Sequence, residues 1–108
     1  MDLKSKRCVP CEGGVPKLAG ETVCALLRDV SGWTETDDKI HKAFTHKNFV
    51  EAMAFVNRVA EVAEAEGHHP DFCVHYSRVD VTIWTHAVGG LTENDFILAA
   101  KIDALSGC

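Results

Sequence analysis

Residues 72–86, FCVHYSRVDVTIWTH, carry two alternating apolar runs separated by two positions. In the first, Phe72, Val74 and Tyr76 fall on one face and Cys73 and His75 on the other. In the second, Val79, Val81, Ile83 and Thr85 alternate with Asp80, Thr82, Trp84 and His86. A period of two marks a half-buried strand, because successive side chains point to opposite sides. With Ser77 and Arg78 as a tight connection, the two strands are antiparallel neighbours. The Val/Ile face is expected to pack on helices. The other face is polar apart from Trp84, so it is half-exposed or covered by another subunit.

Immediately upstream, a helix runs from its N-cap at Asn48 to Gly67. Glu51 stands at the reciprocal position of a capping box. Phe49, Ala52, Met53, Val56, Val59, Ala60 and Ala63 mark its apolar face, while Glu51, Arg58, Glu61 and Glu64 fall outside it. Gly67 suits a left-handed C-cap, and Pro70 blocks continuation. Before this helix, WTETDDKIHKAFTH reads as a hairpin: Trp33 to Thr36, a turn at Asp37-Asp38, then Ile40 to His46.

A shorter helix is expected over about Gly20 to Val30, with Val23, Leu26, Leu27 and Val30 as its stripe. Its N-cap is poor, because Ala19 and Gly20 stand where Ser, Thr or Asp would serve better. At the other end of the chain AVGGL is a loop. Thr92 caps a last helix whose stripe is Phe96, Ala99, Ile102 and Leu105, with Asp95 in its first turn. Residues 1–18 contain Pro10, Gly13, Gly14 and Pro16, show no periodicity and read as an irregular leader to a single domain over 19–106. The order is α-β-β-α-β-β-α. Short turns make the strands antiparallel, and the helices pack on one face of the sheet, giving an α+β fold.

The 108 residues suit one domain with a modest core, which oligomerisation would support. A net charge of -5 disfavours a basic nucleic-acid binder. No apolar run reaches the length of a membrane span, and the basic N-terminus lacks the apolar segment of a secretory signal, so a cytoplasmic protein is expected. The five cysteines, Cys8, Cys11, Cys24, Cys73 and Cys108, are odd in number and mostly scattered, which points to reduced thiols.

Chemistry concentrates in EAEGHHP, residues 64–70, and in His86. His68 and His69 leave a helix end, and His86 ends a strand. In an antiparallel sheet flanked by helices, a loop and a strand end can meet at one rim. Imidazole exchanges protons near neutral pH, so three together suit acid–base work on a small heterocycle. The plainer alternative is a pair of surface histidines, with His68 favoured near the negative end of the helix dipole. Glu64 and Asp95 are either a solvated carboxylate and a helix-start residue, or carboxylates that orient the imidazoles. Trp84 and Phe72 are core residues, subunit contacts or an aromatic wall for a flat ligand. Cys8-x-x-Cys11 has zinc-ligand spacing, but no second such pair accompanies it. His41 and His46 would face opposite ways on a strand. No metal or cofactor is expected. There is no G-x-G-x-x-G, P-loop or G-x-S-x-G motif for nucleotide or serine-hydrolase chemistry.

The spacing around His-His-Pro resembles that of the pterin-4a-carbinolamine dehydratase family, also called the dimerisation cofactor of a homeodomain transcription factor. Glu64 is followed by three residues and then His68-His69-Pro70; Tyr76 comes after five intervening residues, His86 after nine and Asp95 after eight. SGW, the helix pattern Phe49, Ala52, Phe55, Arg58, Val59, Ala60, and GGLTENDFILAAKID resemble the family as well, over about residues 7 to 105. The leader KRCVPCEGGVPKL is similar to that of plant and bacterial members.

The resemblance implies a four-stranded antiparallel sheet with three helices on one face. It also implies dehydration of 4a-hydroxytetrahydropterin to quinonoid dihydropterin, regenerating the cofactor of aromatic amino acid hydroxylases, by a homodimer or homotetramer. By the same resemblance His68 and His86 are acid–base groups and His69 chiefly binds the ligand. Glu64 and Asp95 orient them, and Pro70 and Tyr76 occupy substrate-binding or orienting positions. It leaves as alternatives an interaction module that stabilises a partner's oligomer, and a molybdopterin-related role.

Overall fold

The computed structural model describes residues 3–8 and 17–105. In chain order it has α1 (Gly20–Leu27), β1 (Thr34–Thr36), β2 (Lys39–Thr45), α2 (Phe49–Glu66), β3 (Asp71–His75), β4 (Arg78–Ile83) and α3 (Glu93–Leu105). One-turn 3₁₀ helices lie at Leu3–Ser5 and His86–Val88. The strands form one antiparallel sheet in the order β1-β2-β4-β3, so the α+β architecture is as expected. No helix among the described residues is long and apolar enough to cross a membrane.

The alternating stretch sets the sheet's two faces. Val79, Val81 and Ile83 are fully buried, and across β2 they stand opposite Phe44, Lys42 and Ile40. Lys42 is the polar member of this inner face. Its ammonium passes over the Phe44 ring, 4.9 Å from the centroid, and reaches the rim. There it meets Asp103 at 2.9 Å and the Ser31 carbonyl at 2.7 Å. The Trp33 indole donates to the same Asp103 carboxylate at 3.0 Å. On the outer face His41 Nδ1 is 3.0 Å from the Thr82 hydroxyl.

Both hairpin turns have two residues. Asp37 and Asp38 have φ of 55° and 61°, the paired left-handed conformation that matches the twist of flanking strands. In the second hairpin His75 pairs with Arg78, so the turn is Tyr76-Ser77 rather than Ser77-Arg78. Tyr76 itself takes the left-handed conformation, φ 54°. β4 ends at Ile83, three residues short of His86, because the chain bends into the 3₁₀ turn that Gly89 closes.

α1 stops at Leu27 rather than Val30. Its last turn tightens into i→i+3 bonds at Arg28, Asp29 and Val30, and Val30 is buried outside the helix. In α2 the cap is as expected: Asn48 Oδ1 accepts from Glu51 N at 2.9 Å, and Gly67 closes the helix at φ 66°. The buried stripe, however, is Ala52, Phe55, Val59 and Ala63, not the arc starting at Phe49. The apolar arc of α2 is wider than the sheet can cover. Phe55 takes the core position, stacked between Phe44 and His46 at 4.8 Å from each ring, and Phe49 stays 49 % exposed.

α3 is buried nearly all round from Asn94 to Ala99. A helix segment buried on every side needs cover on every side. Part of that cover is the leader, whose Leu3 is 3 % exposed and belongs to the core. Farther along the leader, Cys8 N donates to Glu66 Oε1 at 2.8 Å and the Arg7 guanidinium lies 2.9 Å from Glu66 Oε2. Burial raises the Glu66 carboxyl, but the Cys8 N–H, Arg7 and Lys101 outweigh it and hold the group below its ordinary 4.5. A depressed folded value stabilises the fold above the unfolded pKa, and that stability is lost as pH falls through the folded one. Below about pH 4.5 the wild-type melting temperature should therefore fall more steeply than that of Glu66→Gln. Parallel curves of melting temperature against pH would remove this role for Glu66.

Candidate active site

Gly67 turns the chain sharply off α2 and delivers His68 inward. The β3–β4 register, continued beyond Asp71↔Thr82, runs His68 toward Thr85. The side chains meet where that register points. His68 Nε2 lies 2.6 Å from Asp95 Oδ1 in the first turn of α3, with the histidine side chain 10 % exposed and the carboxylate 0 %. The second oxygen, Asp95 Oδ2, accepts from the Thr85 hydroxyl at 2.9 Å and from Thr92 N at 2.8 Å. The Thr85 and Thr92 hydroxyls are 2.9 Å apart.

Asp95 is therefore the third residue of a helix reaching back to the N–H of the residue before it, one half of a capping box. Thr92, expected as the cap, turns its hydroxyl to Thr85 instead. One carboxylate thus ties the corner after α2, the end of β4 and the start of α3. A buried carboxylate is tolerated when donors surround it, and here there are three.

The neutral His68 ring can satisfy this contact only as the Nε2–H tautomer, which leaves Nδ1 as the acceptor. His69 is paired the same way: its Nε2 lies 2.6 Å from Glu64 Oε2, one helical turn back, but both side chains are largely exposed. Glu64 and Asp95 thus serve different histidines. His86 follows Thr85 directly and opens the 3₁₀ turn. Its exposed ring stacks on Trp84 at 4.1 Å, and the Lys39 ammonium sits 4.3 Å from the indole centroid. Pro70 is half-buried at the entry to β3. Tyr76 stands at the opposite end of that strand, exposed in the turn, and takes no part in this cluster within one chain.

Sequence reasoning did not single out Thr85 or Thr92 as partners of the carboxylate, and placed Trp84 only as a general aromatic wall. Thr85 had a signal: it continues the buried face of β4 as the only hydroxyl there.

Among the described residues no group of three or more His, Cys, Asp or Glu is arranged to hold a metal ion. Cys11 lies outside the described residues. Burial, and then the neighbouring Glu66 charge, push the Cys8 thiol up to about 12, which suits neither a thiolate ligand nor a nucleophile. Cys8, Cys24 and Cys73 are free thiols.

A family model described as pterin 4 alpha carbinolamine dehydratase matches residues 16–105. The chain is 49% identical over 105 residues to a Rubrobacter xylanophilus protein named for pterin-4-alpha-carbinolamine dehydratase, covering 96% of this chain and 98% of that one. A crystal structure of a transcriptional coactivator/pterin dehydratase from Brucella melitensis superposes with a TM-score of 0.81 at 36% identity, over 84% of this chain and 99% of that one. A pterin dehydratase-like protein identified as a RuBisCO assembly factor in the alpha-carboxysome superposes with a TM-score of 0.60 at 25% identity, over 69% and 87% of the two chains. With residues 16–105 matched and a relative 49% identical over 96% of this chain, the chain belongs to the pterin 4 alpha carbinolamine dehydratase family.

Proposed function

We propose that this protein dehydrates a 4a-hydroxytetrahydropterin to quinonoid dihydropterin and water in the cytoplasm, recycling the cofactor of an aromatic amino acid hydroxylase. The observation that carries the reading is the Asp95 carboxylate, which joins His68 to Thr85 and so ties the His-His-Pro corner to the segment bearing His86. Family membership supplies the substrate class.

The reaction needs two proton movements and no net oxidation. The bond from C4a to oxygen breaks, the leaving oxygen takes a proton, and a base removes the proton on N5. The electrons of that N–H bond form the new double bond between N5 and C4a. His68 has a ring direction and tautomer fixed by Asp95, so its Nδ1 is a preset base. His86, stacked on Trp84 and open to solvent, is the second acid–base group. His69, held by Glu64, chiefly binds the ligand. Pro70 shapes the corner that presents both histidines, and Tyr76 reaches a substrate only if a second chain brings it there. Exposed Val74 on the edge strand β3 and Tyr76 in the turn after it, with Phe49 and Val50 at the start of α2, support a homodimer or homotetramer.

The test is the rate of quinonoid dihydropterin formation from synthetic 4a-hydroxytetrahydropterin, followed by absorbance. Purified protein should raise it well above the spontaneous rate. No acceleration would sink the dehydratase and favour the second reading, an assembly role like that of the RuBisCO assembly factor it resembles in fold.

A further inference from the structure

The leader touches two helix ends at once. Arg7 Nη2 donates to the Ala65 carbonyl at 3.3 Å, and Arg7 and Cys8 both bind the Glu66 carboxylate. Ala65 and Glu66 end α2, directly before Gly67-His68. On the other side Lys6 Nζ lies 2.6 Å from Glu93 Oε2, and Cys8 Sγ lies 3.6 Å from the Asn94 carbonyl. Glu93 and Asn94 open α3, directly before Asp95. The leader therefore bridges the two backbone segments from which the 2.6 Å His68–Asp95 pair is built.

Glu66 is the centre of this bridge. Its side chain is 6 % exposed and sits in the last turn of α2, where the helix dipole disfavours negative charge. It is held there by a charge-assisted N–H bond, the Arg7 guanidinium and Lys101 at 3.7 Å. The Lys6–Glu93 pair is more exposed and so contributes less.

We propose that residues Lys6 to Cys8, anchored on Glu66, form a clasp that positions His68 against Asp95, with Glu66 a positioning residue for the dehydration; this role rests on the function proposed above. A contact of 2.6 Å between two separate helix ends is lost with a shift of about an ångström, and misplacement on that scale is what the clasp prevents.

The experiment uses the full chain with Glu66→Ala, Glu66→Gln and Arg7→Ala, and Val59→Ala as a control that loosens the α2 core away from the clasp. It reads kcat and KM, and the imidazole nitrogen resonances of His68 by NMR. Glu66→Ala should lower kcat/KM by about ten- to a hundred-fold, mostly through kcat, and shift the His68 resonances. Glu66→Gln, which can still accept the Cys8 N–H, should recover most of both. Val59→Ala should leave kcat per folded molecule and the His68 resonances unchanged. Wild-type kcat and His68 resonances in Glu66→Ala would overturn the clasp, as would Val59→Ala reproducing the whole loss. If Glu66→Ala does not fold, unchanged His68 resonances in Arg7→Ala overturn it and shifted ones support it. A wild-type protein without dehydratase activity defeats the function alone, and the His68 resonances still decide the clasp.

Discussion

Replacing Asp95 by asparagine should leave a folded protein with kcat lowered by about 10²- to 10⁴-fold, the largest catalytic loss expected outside the histidines. The introduced amide would keep its oxygen toward Thr92 N, where only an acceptor serves, and so turn its N–H₂ group toward His68 Nε2. The imidazole must then accept at Nε2 and carry its proton on Nδ1, the tautomer that cannot act as a base there. Asp95→Ala is the harsher change. It leaves the His68 ring, the Thr85 hydroxyl and the Thr92 N–H without their buried partner. Breaking a buried pair of this kind costs about 3–5 kcal/mol, a large fraction of the stability of a domain this size. Thermal melts, steady-state kinetics and the imidazole nitrogen shifts of His68 separate the two variants. An Asp95→Asn protein with wild-type kcat would show that the His68 tautomer does not matter to the reaction.

His86→Ala should lower kcat by a similar factor, about 10²- to 10⁴-fold, but with the opposite structural signature. The ring is exposed and touches Trp84 rather than the core. Losing an exposed ring that fills no cavity should change stability by no more than about 0.5 kcal/mol. Circular dichroism and the melting temperature should therefore match the wild type while turnover collapses. His68→Ala should lose both, because its buried ring is the partner of a fully buried carboxylate. Retention of turnover in His86→Ala would remove that residue from the acid–base assignment. Equal loss of stability in both would contradict their difference in burial.

The strands and their faces were legible because period-two alternation is local: Val79, Val81 and Ile83 had to share a side, and the short turns had to make neighbours antiparallel. The caps were equally local, as at Asn48 and Gly67. The Asp37-Asp38 turn was legible for the same reason. The histidine spacing was legible only as a resemblance, since no local rule joins residue 68 to residue 95.

Other features depended on which surfaces meet. The sequence offers α2 an apolar arc that includes both Phe49 and Phe55, and only the sheet's width decides that Phe55 is buried and Phe49 is left to solvent. The leader reads as irregular because it has no period, yet its Leu3 belongs to the core and its Cys8 N–H bonds to Glu66, 58 residues along the chain. The same holds for the site. Local sequence determined that a glycine would break α2 before two histidines. Tertiary structure decided that Asp95 takes His68 and that Tyr76 stands at the far end of β3, whereas Glu64 and His69 pair within one short segment. The long-range placements follow from the strand register and the position of α3, which are properties of the packed chain.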